Sequence, residues 1–154
     1  MMKKKILAGI IIVFALIQFK TVDKTNPETD SAQDFLAVNN ASIEMENLFK
    51  NACYDCHSNV TRYPWYFSVA PISWWTRGHI DHARGNLNFS IWQTYQQKKQ
   101  DYKLEESIEI INKKWMPPKT YKMMHAEARL SDEEREKMVS WMKSINNNTT
   151  GNNE

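Results

Sequence analysis

Cys53-Tyr54-Asp55-Cys56-His57 contains the only two cysteines of the chain, and a histidine directly follows the second one. A helix is predicted to begin at Ser42 and to run into this stretch, because apolar residues recur between them at helical spacing. Cys53, Cys56 and His57 then lie within about one helical turn of each other. A single short segment therefore presents two thiols and an imidazole together.

Two thiols followed directly by an imidazole form the attachment signature of a c-type haem. The thiols of Cys53 and Cys56 would add across the two vinyl groups of one porphyrin and form thioether bonds. The imidazole of His57 would reach the iron from the same side, and imidazole is a good axial ligand for haem iron. The motif therefore predicts one covalent haem c, with His57 as a ligand of its iron.

Three other interpretations of the two cysteines are open, and each fits less well. A redox dithiol of the thioredoxin type should follow a strand, whereas the flanks here are helical or irregular. A zinc site would need His79 and His82 as further ligands, but only two residues separate them instead of the usual three to five or so. A disulfide across two intervening residues is geometrically tight.

The N-terminus indicates export. Lys3, Lys4 and Lys5 precede an uncharged stretch from Ile6 to Phe19, which is the pattern of a positive region followed by an apolar one. The stretch is shorter than the ~20 residues of a full membrane span. No cleavage site of the A-x-A type follows it, so we expect residues 1–20 to stay as an anchor in the inner membrane. Cleavage, which would leave a soluble periplasmic protein, is the alternative.

Composition restricts the remaining possibilities. The net charge is +2, and no stripe of basic and aromatic residues argues for binding to nucleic acid. Six Trp, six Tyr, six Phe and eight Met suit either an aromatic core or a pocket for a flat apolar cofactor. We expect one domain, preceded by a linker and followed by a disordered tail. The predicted divisions are the anchor at 1–20, the linker at 21–40, the haem c-binding domain at 41–145 and the tail at 146–154.

The fold class is predicted to be all-α, since no stretch shows the alternation of a strand. The expected architecture is a small cytochrome c-like helical domain around one covalent haem, preceded by an apolar N-terminal helix. A capping box of Ser131 and Glu134 marks the start of the last helix. Residues 96–103 are expected to form a charged surface segment. Besides the helix from Ser42, the predicted helices follow Pro71 to near Gly85, follow Ser90 through Tyr95, cover Leu104 to Asn112, and run from Ser131 to Ile145.

Met116 is the preferred second axial ligand. It lies in Trp115-Met116-Pro117-Pro118, where two prolines stiffen the loop and present the sulfur at low conformational cost. A thioether is a soft ligand suited to haem iron, and ligation by Met and His raises the reduction potential. His79 and His125 are the alternatives, whereas His82 is expected on the surface.

Other side chains are candidates for contact with the porphyrin. Arg84 could pair with a propionate, because a guanidinium matches a carboxylate. Four aromatic residues could stack on the porphyrin edge or donate to it, with ordinary core packing as the alternative. These four residues are Trp65, Tyr66, Trp74 and Trp75.

Several motifs taken together resemble the haem-binding domain family, which consists of small exported bacterial proteins with one haem c. Besides the Cys-x-x-Cys-His stretch they are Tyr63-Pro64-Trp65-Tyr66, Pro71 with Trp74-Trp75, and Met116-Pro117-Pro118. The resemblance covers roughly residues 40–145 and implies haem binding. The C-terminal part is also similar to class I cytochromes c, in which the loop methionine is the distal ligand, and this implies the same role for Met116.

The sequence therefore predicts an electron-transfer protein that is not an enzyme. A monohaem cytochrome c at the periplasmic face of the membrane would exchange electrons with periplasmic or membrane redox proteins. The alternative is a haem-based sensor or enzyme for gas or peroxide. In that case the distal position would be open or labile, and His79 or His125 would act as acid and base.

Overall fold

The structure is a computed structural model that describes residues 2–150, with side chains described through residue 146. Helices and turns account for the described residues without any β-strand, so the all-α prediction is confirmed. The α-helices are α1 (Met2–Ile17), α2 (Phe35–Val38), α3 (Ile43–Phe49), α4 (Asp55–His57), α5 (Ile72–Asn86), α6 (Gln97–Asn112), α7 (Lys119–Met124) and α8 (Asp132–Thr150). Short 3₁₀ segments occur at Ser31–Gln33, Trp65–Ser68, Phe89–Thr94 and Ala126–Ala128, and the third of them is kinked at Ile91.

The segment that leads into the cysteines is helical, as predicted. Ser42 begins α3, since its hydroxyl accepts a hydrogen bond from the amide of Met45 at 3.2 Å. A π-helical turn, Lys50–Tyr54, then joins α3 to α4. Such turns widen a helix by one residue and are frequent at functional sites. Here the turn contains Cys53, and Cys56 follows in α4.

An aromatic core packs against α3, the helix that leads into the cysteines. Phe35 lies at its centre, with ring centroids 4.8 Å from Trp92, 5.3 Å from Trp141 and 5.6 Å from Phe49. Met138 and other apolar side chains of α8 and α6 complete the cluster. The core therefore joins α2, α3, α6 and α8 and fixes the helix that ends in the motif.

Residues 21–40 differ from the predicted linker, because they contain part of the core. Phe35 and Leu36 are fully buried in it. Asp34 caps α2 by accepting from the amide of Leu36, and its carboxylate also accepts from the hydroxyl of Tyr54 at 2.9 Å. The polar composition of this stretch concealed a run of four apolar residues, Phe35–Val38, which forms a helix of one turn. The folded domain thus begins before residue 41.

Two other local predictions need correction. Helix α6 starts at Gln97, seven residues before the predicted start at Leu104, so the charged surface residues 97–103 are its first turns. The short element before it is a 3₁₀ turn capped by Asn88, whose side chain accepts from the amide of Ser90 at 3.0 Å. Ser90 is not the cap, since its hydroxyl accepts from the amide of Asn59 instead.

The predicted capping box of the last helix is present. The amide of Glu134 donates to the Ser131 hydroxyl at 3.1 Å, and the amide of Ser131 donates to the Glu134 carboxylate at 2.7 Å. Helix α8 continues past Ile145 to Thr150. Residues 146–150 are therefore helical and do not form the expected tail, of which residues 151–154 lie outside the described part of the chain.

The N-terminal stretch forms α1, whose 16 residues include no buried one. Its apolar side chains are more than half exposed for the most part. Within residues 2–150, no helix combines the length and the apolar character that crossing a membrane requires.

Replacement of Phe35 by alanine is expected to lower the free energy of unfolding by about 3–5 kcal/mol, because a fully buried ring leaves the centre of the core. Phe19 is the matched control, since its ring is 85% exposed and its loss should matter by less than about 0.5 kcal/mol. Urea denaturation of both variants in the same detergent, followed by circular dichroism, measures the difference. If the Phe35 and Phe19 variants lost the same free energy of unfolding, residues 21–40 would not belong to the folded domain.

Candidate functional site

The Cys-x-x-Cys-His motif spans the end of the π-helical turn and α4. Its two intervening residues, Tyr54 and Asp55, point inward and are buried. Cys53, Cys56 and His57 are partly exposed, and both cysteines are free thiols. The buried pair thus fixes the backbone, while the three reactive side chains share the more open side.

His57 is oriented by a hydrogen bond to the backbone of the chain after α5. Its Nδ1 atom lies 3.0 Å from the carbonyl oxygen of Leu87. A carbonyl oxygen only accepts, so Nδ1 carries the proton, and Nε2 of the neutral ring keeps its lone pair. Burial lowers the pKa of His57, which keeps the ring neutral near pH 7. An imidazole held in this way is prepared to bind a metal through Nε2.

The two thiols lie in surroundings that disfavour negative charge. Burial raises the pKa of Cys53 to about 12 and that of Cys56 to about 11. The neighbouring Cys56 adds to the rise in the pKa of Cys53, and the Asp55 carboxylate adds to the rise in the pKa of Cys56. Zinc binding needs thiolates, whereas a thioether is neutral. The environment therefore fits thioether bonds better than metal thiolates.

The histidines of the zinc alternative do not join the cysteines. Among the described residues, no group of three or more His, Cys, Asp and Glu side chains is placed to hold a metal ion. His79 and His82 are exposed on α5. Each makes a local hydrogen bond, His79 to the carbonyl oxygen of Trp75 at 2.9 Å and His82 to Asn86 at 3.1 Å.

Asp55 connects the motif to two other parts of the chain. Only 5% exposed, its carboxylate accepts from the guanidinium of Arg62 at 3.1 and 3.2 Å and from the backbone amide of Arg62 at 3.0 Å. It also accepts from the hydroxyl of Tyr121 on α7 at 2.6 Å. Sequence reasoning missed this contact, because Tyr121 is remote in the chain. The hydrogen bond holds α7, which follows the Met-Pro-Pro loop, against the motif.

Met116 lies in the loop between α6 and α7, half-buried and followed by a fully buried Pro117. Arg135 on α8 fixes this loop, since its Nη1 donates to the carbonyl oxygens of Met116 at 2.7 Å and Ile111 at 3.1 Å. The charge of Arg135 also lowers the pKa of Cys53, against the larger effect of burial. The loop and the motif are thus tied to one region by Arg135 and by the contact between Tyr121 and Asp55.

His125 also lies in this region, but both of its ring nitrogens are engaged. Nε2 is 2.8 Å from the hydroxyl of Tyr66, and Nδ1 is 2.9 Å from the carboxylate of Glu127. The ring stacks on Tyr121 with centroids 4.2 Å apart. His125 would have to break a hydrogen bond to bind a metal, whereas no such bond constrains a methionine sulfur.

The other predicted contact residues are divided between two places. Arg84 donates to the carbonyl oxygen of Ser58 at 2.7 Å, and its charge acts to lower the pKa of Cys56. Burial raises the pKa of Tyr66 to about 12, and the nearby Asp55 and Cys56 add to this effect. Both side chains are therefore near the motif. Trp65 is exposed but its ring lies 5.9 Å from that of Tyr66, whereas Trp75 is exposed on α5 and Trp74 donates to the carbonyl oxygen of Lys20.

The chain belongs to the haem-binding domain family, whose model matches residues 12–144. This confirms the resemblance seen in the motifs, and it supports haem as the group that the site binds. The match begins before residue 21, in agreement with the structural role of residues 21–40. Comparison with curated proteins gave no match, and neither did comparison with solved structures.

Replacement of Tyr121 by phenylalanine is expected to lower the free energy of unfolding by about 1–3 kcal/mol, because a buried carboxylate loses a short hydrogen bond. Tyr102 is the matched control, since it is 60% exposed and its hydroxyl makes no hydrogen bond within the described residues. Urea titration of both variants checks the difference. If the two variants lose the same stability, Asp55 does not depend on Tyr121.

Proposed function

We propose that this protein is a monohaem c-type cytochrome that transfers electrons on the periplasmic side of the bacterial inner membrane. The observation that supports it most directly is the geometry of His57, whose Nδ1–H donates to the Leu87 carbonyl oxygen and leaves Nε2 for a metal. Two free thiols lie on the same short segment. This is the donor set that covalent haem attachment requires.

Four residues of the chain would hold the haem. Cys53 and Cys56 would form the thioether bonds, His57 would be the proximal ligand and Met116 the distal one. When bound, the haem supplies a reversible one-electron change at its iron. The protein orients the proximal imidazole through Leu87 and limits access of water through the partly buried surroundings of the two thiols.

Met116 is favoured over the histidines by the contacts that each residue makes. His125 is held by Tyr66 and Glu127, and His79 is exposed on α5 and bonded to Trp75. The Met116 backbone is held by Arg135, which fixes the position of the residue while leaving its sulfur outside that hydrogen bond. A six-coordinate iron with two firm ligands is suited to electron transfer, with periplasmic or membrane redox proteins as partners.

The location is proposed from the N-terminal charge pattern. Lys3, Lys4 and Lys5 at the start of α1 favour retention of that end in the cytoplasm, with the rest of the chain exported. Helix α1 would then anchor the domain to the inner membrane. In the oxidising space outside that membrane, thioether formation protects the two thiols from forming a disulfide.

Covalent attachment is tested by the double variant Cys53→Ser/Cys56→Ser, produced in a periplasm with haem-attachment machinery. We expect the wild-type protein to keep its haem stain on a denaturing gel and the double variant to lose it, because no thioether can form. Met123→Ala, at an exposed position of α7, is the control and should stain like the wild type. A wild-type protein that loses its haem on denaturation would contradict covalent attachment.

The distal ligand is tested by Met116→Ala. The oxidised wild-type protein should show the weak long-wavelength band of a thioether–iron bond, and the variant should lose this band and have a lower reduction potential. Visible spectra and a redox titration measure both, again with Met123→Ala as the control.

An unchanged spectrum and potential in Met116→Ala would exclude Met116 as the ligand. A spectrum of low-spin iron with two imidazole ligands would then indicate His79 or His125. A high-spin spectrum of the wild-type protein would instead favour the sensor or enzyme for gas or peroxide.

A further inference from the structure

The end of α1 is clamped to the beginning of α5. The side-chain amide of Gln18 donates to the carbonyl oxygen of Ala70 at 3.1 Å and accepts from its backbone N–H at 2.9 Å. The indole N–H of Trp74 donates to the carbonyl oxygen of Lys20 at 2.8 Å. Because α1 ends at Ile17, no free chain separates the helix from the clamp.

The residues after the clamp continue along the domain as a strap, which we define as residues 18–28. Lys24 donates to the hydroxyl of Ser68 at 2.6 Å, and Asn26 donates to the carbonyl oxygen of Thr61 at 2.9 Å. The strap ends where the carbonyl oxygen of Glu28 accepts from the side chain of Asn59 at 3.2 Å. It therefore runs from α1 to the residues that follow the Cys-x-x-Cys-His motif, and it sets the orientation of the domain at the end of α1.

Helix α1 is apolar and exposed along its length, and within the described residues none of its side chains is buried against the domain. Its 16 residues correspond to ~24 Å, less than the ~30 Å of a bilayer core. Three lysines at its N-terminal end must remain near charged headgroups. A helix this short can place its apolar residues in a bilayer only if the domain at its other end lies close to the membrane surface.

The surface beside the clamp has the composition of a membrane interface. Ile72 and Trp75 lie three residues apart on α5, and they are 46% and 51% exposed. The ammonium of Lys20 lies 5.4 Å from the centre of the Trp74 ring. Tryptophan and lysine concentrate at the level of lipid headgroups. We call the surface formed by Ile72 and Trp75 the Trp75 face; Trp74, at its flank, joins α5 to Lys20.

We propose that the Trp75 face docks on the phospholipid headgroup region of the membrane that α1 enters. The inference rests on the membrane anchor in the proposed function. It adds that one surface of the domain contacts the bilayer directly, in addition to the attachment through α1. Lipid is favoured over a protein partner because the face begins two residues after the clamp at Ala70, so no slack separates it from the end of α1.

The test uses the full-length, haem-loaded protein, one copy in each nanodisc of phosphatidylcholine and phosphatidylglycerol. Tryptophan fluorescence is compared between discs with ordinary and with brominated acyl chains, so that quenching by haem cancels in the ratio. We expect Trp75→Phe to reduce the bromine-dependent quenching about twofold, as befits an interfacial residue. Trp115→Phe, which removes an indole that is 66% exposed elsewhere, should leave it unchanged.

A second variant examines the clamp without altering a tryptophan. Gln18→Ala removes both hydrogen bonds to Ala70, so the face should leave the bilayer more often and bromine-dependent quenching should fall.

Equal quenching in Trp75→Phe and in the wild-type protein would overturn the docking. If the protein stays in the discs with an intact haem spectrum, that result leaves the proposed function standing. A protein that does not enter the discs would overturn the anchor itself, and the docking with it.

Discussion

The hydrogen bonds and the ion pair of one buried carboxylate, that of Asp55, organise the region around the cysteines. A buried charge is tolerated only where donors surround it. Asp55 has the guanidinium and backbone amide of Arg62 on one side and the hydroxyl of Tyr121 on the other. Because Asp55 lies between the two cysteines, each of these contacts also fixes the positions of the thiols. One side chain thus connects the motif, the chain that follows it and α7.

Arg135 has a related role on the other side of the Met-Pro-Pro loop. Arg135 is 6% exposed, and its guanidinium donates to the carbonyl oxygen of Ile111 at the end of α6 and to that of Met116. These two hydrogen bonds attach the loop to α8. The loop backbone therefore has an external support, and its geometry does not depend on the prolines alone. Together with the hydrogen bond of His57 to Leu87, three separate parts of the chain position the groups that would face a haem.

The parts that the sequence predicted are those whose signals are local. The Cys-x-x-Cys-His motif, the helix from Ser42 and the capping box of Ser131 and Glu134 each depend on residues within a few positions. Family membership was also visible, because it rests on several such motifs at once.

The remainder depends on contacts between residues remote in the chain. The four apolar residues Phe35–Val38 form too short a run to mark a helix, and only the surrounding rings show that Phe35 and Leu36 belong to the core. The pairing of Tyr121 with Asp55 leaves no pattern in the spacing of either residue. The sequence likewise contains no pattern that predicts the contact of Gln18 with Ala70 or that of Trp74 with Lys20.

The strap has a kinetic consequence for any reaction partner. A domain on a flexible linker samples a hemisphere, and its collisions depend on the length of that linker. Here the contacts from Gln18 to Glu28 remove that freedom. If α1 anchors the domain in a bilayer as proposed, the strap holds the site at a constant height above the lipid, and encounters with a partner in the same bilayer depend on that height and on lateral diffusion.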